Sequence, residues 1–201
     1  FTRQLWMLLG DQAASLGTLG LVAPRRARPG ALTTPDPVAL HKDLAELAAE
    51  GVEHVAMEAS SHGLDQFRLD GVRLAAAAFT NLTRDHLDYH QTMAAYFAAK
   101  QRLFAELLPA GGAAVLNADV PEFAELAALC RKRGHRVIAF GRKGAEIRLD
   151  RLTPTTDGQR LALTVEGRPI EIMLPLVAAF QAMNALTALG LAIGCGADTQ
   201  A

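Results

Sequence analysis

Apolar and polar positions along the chain alternate between a helical period and short strand-like runs. Phe1 to Leu9 has a helical pattern, and Ala13 to Leu21, broken by Gly17 and Gly20, predicts a strand and turn. Residues 22–30 hold two prolines, three arginines and Gly30 and predict an exposed loop. Thr34-Pro35-Asp36-Pro37 is a helix start, with Thr34 or Asp36 able to cap and a proline in the first turn. Leu40, Leu44 and Leu47 then share one face of a helix reaching about Glu50, and Gly51 stops it. Val52 to Met57 and Leu74 to Phe79 read as buried strands. Thr92 to Leu108 predicts a helix ended by Pro109-Ala-Gly-Gly112. A strand over Ala113–Leu116, a helix over Glu122–Arg133 and a strand over Arg136–Phe140 follow.

After Gly141 the period changes. Residues 145–175 alternate polar and apolar, with turns at Asp157-Gly158 and Gly167-Arg168-Pro169, which predicts two or three antiparallel strands. Val177 to Ile193 is a last helix. Strand–helix alternation followed by a meander gives an α/β fold: a doubly wound, mainly parallel sheet flanked by helices, with a small antiparallel β appendage. Ligands of such folds gather at the carboxyl ends of the strands. No internal repeat or low-complexity segment interrupts the pattern.

Composition narrows the class. The 201 residues carry a net charge of −1, half are hydrophobic and 20% are charged, as expected for a globular chain with a real core. With no basic run to neutralise phosphates, a non-specific nucleic-acid binder is excluded. Cys130 and Cys195 are too few for a disulfide framework and lack metal-site spacing. No apolar run reaches the ~18 residues of a membrane span and no signal-peptide pattern opens the chain, so a cytoplasmic location is expected.

Two polar clusters stand where strands should end. Glu58-Ala-Ser-Ser-His-Gly-Leu-Asp-Gln-Phe-Arg68 follows the first buried run, and Thr80-Asn-Leu-Thr-Arg-Asp-His-Leu-Asp-Tyr-His90 follows the second. Both are expected to project from one sheet edge, where carboxylate and imidazole suit a divalent cation. Ser60 and Ser61 read equally as helix caps. In the next helix Met93, Phe97, Phe104, Leu107 and Leu108 form an apolar stripe at 3–4-residue spacing, and Lys100 lies on it. An ammonium there either snorkels to water or is paired or chemically changed. Cys130, His41, His54 and His135 read as structural, and Asn117-Ala-Asp119 as a ligand-binding strand end or a helix cap.

The sequence resembles the Mur ligases, the ATP-dependent amino-acid ligases of peptidoglycan precursor synthesis, and within them the tripeptide synthetases. The carrying strings are Leu32-Thr-Thr-Pro-Asp-Pro37, Met57-Glu-Ala-Ser-Ser-His-Gly-Leu-Asp-Gln-Phe-Arg68, the second cluster, and Ala95-Tyr-Phe-Ala-Ala-Lys-Gln-Arg-Leu-Phe104. The resemblance implies that Thr33, Thr34, Ser60, Gln66 and Arg68 hold UDP-MurNAc-dipeptide. It implies that Glu58 and His86 ligate Mg²⁺ together with Lys100, carbamylated by CO₂, and that these three form the catalytic set. Asn81, Gln181 and Asn184 fall at nucleotide-binding positions, although Ala179 and Gln181 depart from the family's Gly-x-x-Asn-x-x-Asn pattern. At ~4 Å and an effective dielectric near 20 each unit-charge pair is worth about 4 kcal/mol, so a bare ammonium beside Mg²⁺ is strongly repelled and a carbamate is attracted.

The implied reaction joins a diamino acid, meso-diaminopimelate or L-lysine, to the D-Glu γ-carboxylate through an acyl phosphate. The implied partners are these small molecules alone, with neither nucleic acid nor membrane, and the chain a monomer. A Gly-x-x-x-x-Gly-Lys-Ser/Thr loop for the ATP phosphates does not occur in the sequence. The expectation is therefore a central catalytic domain over residues 1–201, cut before that loop, without the UDP-binding and amino-acid-binding domains and inactive alone. Alternatives are a folylpolyglutamate-type ligase, a non-catalytic nucleotide-binding module, and a metal-dependent hydrolase built on Glu58, His86 and His90.

Overall fold

The structure is a computed structural model and describes residues 1–198. The described residues form two compact units, one of residues 2–74 and 84–108 and the other of Phe1 and residues 75–83 and 109–198.

The first unit contains α1 (Thr2–Leu8), β1 (Ala13–Gly17), β2 (Gly20–Val22), β3 (Ala27–Arg28), α2 (Pro37–Ala49), β4 (His54–Met57), α3 (Ser61–Asp65), α4 (Leu87–His90) and α5 (Met93–Arg102). Its sheet runs β3-β2-β1-β4, with β1 parallel to β4 and antiparallel to β2. Trp6 of α1 is buried and stacks on the His54 ring, centroids 4.6 Å apart. Asp36 caps α2 by accepting from the Ala39 amide at 3.0 Å, and Pro37 opens the helix at a position that needs no amide donor. The stretch 22–30 is largely exposed, as expected of it, and it also holds the short β3. Arg28 grips the buried Asp43 of α2 with two bonds of 2.8 and 2.7 Å, and Arg26 pairs with Glu46 at 2.7 Å. Planar guanidinium matches carboxylate geometry, so Arg26 and Arg28 tie this stretch to α2.

The second unit contains β5 (Ala76–Phe79), β6 (Ala113–Asn117), α6 (Phe123–Lys132), β7 (Arg136–Gly141), β8 (Ile147–Thr155), β9 (Gly158–Val165), β10 (Arg168–Leu174) and α7 (Ala179–Gly194). The sheet order is β10-β9-β8-β7-β6-β5. Strands β5 to β8 are parallel, and β8 to β10 antiparallel, so the meander continues the sheet. Val115, Ile138, Phe140, Ile147, Leu161, Leu186 and Ile193 fill its core. At Gly190 of α7 a Cβ would lie 2.5 Å from Val115 Cγ1, so glycine is what lets the helix approach β6 this closely. Cys130 is buried, as expected. Asn117 and Asp119 prove structural. Asn117 donates to the Thr80 carbonyl at 2.7 Å, and Asp119 accepts from the amides of Arg142 and Lys143 at 2.8 and 2.9 Å.

Two expectations need correction. The two buried runs do not share a sheet: β4 pairs with β1, and β5 with β6. Four-residue apolar strands carry no partner information of their own, and each ends as the edge of its sheet. The helix over 92–108 is not continuous either, because α5 gives way to a π-helical turn, Leu103–Leu107. The wider turn shifts the phase of everything after Arg102. Before it, the buried face of α5 runs through Tyr96 and Ala99, Met93 is exposed, and Lys100 flanks that face, half-buried.

Candidate active site

The first cluster begins with a carboxylate held from below. Glu58 follows β4 directly, and its Oε2 accepts from the Thr18 amide at 3.1 Å and the Thr18 hydroxyl at 2.7 Å. That hydroxyl lies 3.1 Å from Thr33 Oγ1. A Cβ on Gly17 would sit 2.5 Å from Glu58 Cδ, so the β1–β2 turn needs glycine there to admit the carboxylate. Both described bonds go to Oε2, and the side chain is exposed.

Thr34 is the hub behind it. Its hydroxyl donates to the Glu58 carbonyl at 2.8 Å and accepts from the Ser60 amide and the Ser60 hydroxyl, both at 3.0 Å. Ser60 Oγ in turn accepts from the Gly63 amide at 3.0 Å and caps α3. A hydroxyl has one donor and two acceptor sites, so the Thr34 hydroxyl, 2% exposed, has all of them filled and supports Glu58 and Ser60 from behind. Ser60 carries its sequence reading as a helix cap.

Beyond α3 the chain turns through Phe67, whose φ of 59° lies in the left-handed region. Arg102 fixes this turn: it donates to the Leu64 carbonyl at 3.0 Å and to Asp70 at 2.7 Å, and its guanidinium covers the Phe67 ring at 4.2 Å. Arg68 donates to the Thr34 carbonyl at 2.9 Å and, through Nε and Nη2, to Gln66 Oε1. Three of its five N–H groups are thus used and two remain. Gln66 Nε2 donates to the Tyr89 hydroxyl at 3.1 Å, which donates to Asp65 at 2.7 Å.

The second cluster folds onto the first within this unit. His86 has a φ of 54°, its amide donates to its neighbour Asp85 at 2.8 Å, and its ring stands edge-on to His62 with centroids 4.9 Å apart. His62, Tyr89, His90 and Tyr96 continue the ring cluster, with His90 stacked on Tyr96 at 5.1 Å. His90 is buried, its Nε2 lacks a hydrogen-bond partner among the described residues, and burial lowers its pKa. Lys100 Nζ lies 5.1 Å from the Tyr96 ring centre, and no carboxylate pairs with it among the described residues. Burial lowers its pKa, with the Asp85 charge opposing. Among the described residues no group of three or more His, Cys, Asp and Glu is arranged to hold a metal ion, and the Glu58–His86–His90 hydrolase set is not assembled.

The structure therefore brings Thr33, Thr34, Glu58 and Ser60 into one hydrogen-bonded group. Gln66 and Arg68 are tied to it through Thr34, and His86 and Lys100 meet in the ring cluster. No hydrogen bond or ion pair joins Glu58 to His86 or Lys100 among the described residues. Asn81, Gln181 and Asn184 belong to the other unit, where Asn184 Nδ2 donates to Gln181 Oε1 at 3.2 Å and Asn81 is exposed after β5. Sequence reasoning missed Thr18, Asp65, Tyr89 and Tyr96, although the last three stand inside or beside the quoted strings.

The family model for the Mur ligase middle domain matches residues 2–192. The chain belongs to this family. It is 56% identical over 201 residues to UDP-N-acetylmuramoyl-L-alanyl-D-glutamate--2,6-diaminopimelate ligase of Rhizobium meliloti, covering 100% of this chain and 41% of that protein. It is 54% identical to the ligase of the same name from Bradyrhizobium diazoefficiens, covering 98% and 42%. The chain thus spans about two-fifths of the length of the curated relatives it matches. A solved structure of a ligase of that name superimposes with a TM-score of 0.88 at 29% identity, over 98% of this chain and 40% of that one. The apo form of L. casei FPGS shares the fold at a TM-score of 0.69 and 16% identity, over 96% and 54%. No helix among the described residues is long and apolar enough to cross a membrane.

Proposed function

We propose that this Mur ligase middle domain serves ATP-dependent ligation of meso-diaminopimelate to the D-Glu γ-carboxylate of UDP-MurNAc-L-Ala-D-Glu, in cytoplasmic peptidoglycan precursor synthesis. The observation that carries the reading is the half-buried Lys100 amine, without a carboxylate partner among the described residues, in the same compact unit as Glu58, His86 and the Gln66–Arg68 fork. The names of relatives more than 50% identical supply the substrate.

In the proposed reaction the ATP γ-phosphoryl passes to the γ-carboxylate, the amine of the incoming amino acid attacks the acyl phosphate, and phosphate leaves. Arg68, with two free N–H donors, and Ser60 and Thr33 at the rim hold and orient the dipeptide, so positioning is this domain's main contribution. The donor chemistry fits Mg²⁺ once Lys100 is a carbamate, because that gives oxygen ligands from Lys100 and Glu58 plus the exposed imidazole of His86. The ion, when bound, neutralises charge between phosphate and carboxylate. Burial favours the neutral Lys100 amine, the form that attacks CO₂. Asn81, Gln181 and Asn184 are assigned to ATP. The phosphate-binding loop and the UDP- and amino-acid-binding domains are assigned to the remainder of a full-length ligase, acting as a monomer.

The test is phosphate release by the full-length ligase with ATP, Mg²⁺, UDP-MurNAc-L-Ala-D-Glu and either meso-diaminopimelate or L-lysine. Turnover with diaminopimelate supports the reading. Turnover only with a folate or with another muramoyl peptide overturns it.

A further inference from the structure

The Gln66 side chain faces two neighbours with opposite needs. Arg68 can only donate, so the amide must present Oε1 to it. The Tyr89 hydroxyl has a single proton and gives it to Asp65 at 2.7 Å, so toward Gln66 it can only accept, at 3.1 Å from Nε2. The chain Asp65–Tyr89–Gln66–Arg68 therefore has one polarity, set by the Asp65 carboxylate. It crosses from α4 to the turn after α3, joining residues 23 and 24 positions apart. The Tyr89 ring is itself fixed, lying 4.2 Å from His62 and 4.8 Å from His90 between centroids.

From this geometry we infer that Tyr89 is a positioning residue for the substrate-binding fork. Its hydroxyl, oriented by Asp65, holds the Gln66 amide in the single orientation that engages two Arg68 donors and leaves the two N–H groups bonded to neither Gln66 nor Thr34 aimed at the ligand. Without the hydroxyl only Arg68 orients the amide, and the orientation in which Nε2 faces Arg68 and pushes the guanidinium off its position is no longer opposed from the Tyr89 side. The ligand acted on is the anionic muramoyl dipeptide, so the inference rests on the proposed function.

The experiment uses the full-length ligase and calorimetric binding of UDP-MurNAc-L-Ala-D-Glu without ATP, alongside KM values for all three substrates. Tyr89→Phe keeps the ring and removes only the hydroxyl. Its Kd for the dipeptide is expected to rise about 5- to 10-fold, the weight of one hydrogen bond, with KM for ATP and for the amino acid unchanged. Because Tyr89 acts through Gln66, the double variant Tyr89→Phe/Gln66→Ala is expected to bind no more weakly than Gln66→Ala alone. An unchanged Kd in Tyr89→Phe, additive losses in the double variant, or a parallel rise in all three KM values overturns the inference. Arg68→Ala separates the two levels. If it leaves dipeptide binding intact, the substrate assignment itself is wrong; if it abolishes binding while Tyr89→Phe has no effect, only the role of Tyr89 fails.

Discussion

Thr34→Val asks whether the site is built on a buried hub or lined by an exposed ligand group. Valine matches threonine in volume, so no cavity opens and the change is confined to the hydroxyl. That hydroxyl makes three bonds, of 2.8, 3.0 and 3.0 Å, at a position 2% exposed. Removing it strands the Glu58 carbonyl and the Ser60 amide, whereas Ser60 Oγ keeps its bond from Gly63. Each stranded buried group costs about 1–3 kcal/mol, so the loss is about 2–4 kcal/mol after allowing for the half-exposed setting of Ser60. For a domain of this size that corresponds to a fall in Tm of about 5–15 °C. Thr33→Val, which removes one contact with Thr18 on an accessible side chain, is expected to cost under about 1 kcal/mol. Thermal unfolding of the full-length protein, with and without saturating dipeptide, reads both. A Thr34→Val protein as stable as wild type but weak for the dipeptide would refute the reasoning and point to Thr34 as a direct ligand.

Thr18→Val removes the shortest bond to Glu58, 2.7 Å, and leaves the carboxylate held by the residue-18 amide alone. A charge-assisted bond is worth about 1.5–3 kcal/mol, so the Mg²⁺ concentration giving half-maximal activity should rise at least about tenfold, read by Mg²⁺ titration of turnover. Burial pushes the Cys130 thiol up to about 11. The thiolate share grows as pH rises toward that value, so at pH 8 only about one thiol in a thousand is reactive. Native Cys130 should therefore resist iodoacetamide at pH 8 under conditions that label the urea-unfolded chain, as mass spectrometry of its peptide would show.

Much of this was readable from residue order because the informative features are local. A helix cap such as Asp36, a strand followed at once by Glu58, and a Ser60 that caps α3 all depend on neighbours a few positions away. What escaped depends on contacts across the fold. Thr18 reaches Glu58 from 40 positions away, and Tyr89 reaches Asp65 from 24. Nothing in the β1–β2 turn or in the second cluster announces those partners. The Lys100 stripe held in part: Phe104 and Leu108 are buried, Met93 is exposed, and a π-helical turn after Arg102 interrupts the single period on which the stripe was drawn. Lys100 still proved unusual, since a half-buried amine over Tyr96 is as unexpected as one inside the stripe. At Thr34 a sequence shows that a hydroxyl is present but not that its bonding capacity is filled by Glu58 and Ser60.

The account turns on the chemical state of one amine. Carbon-13 NMR of the full-length ligase equilibrated with carbon-13-labelled bicarbonate measures it directly, with Lys100→Met as the reference. A carbamate resonance in the wild type that vanishes in Lys100→Met, together with loss of ligation, is the predicted result. An active wild-type enzyme that shows no such resonance, or one whose resonance survives in Lys100→Met, would contradict it.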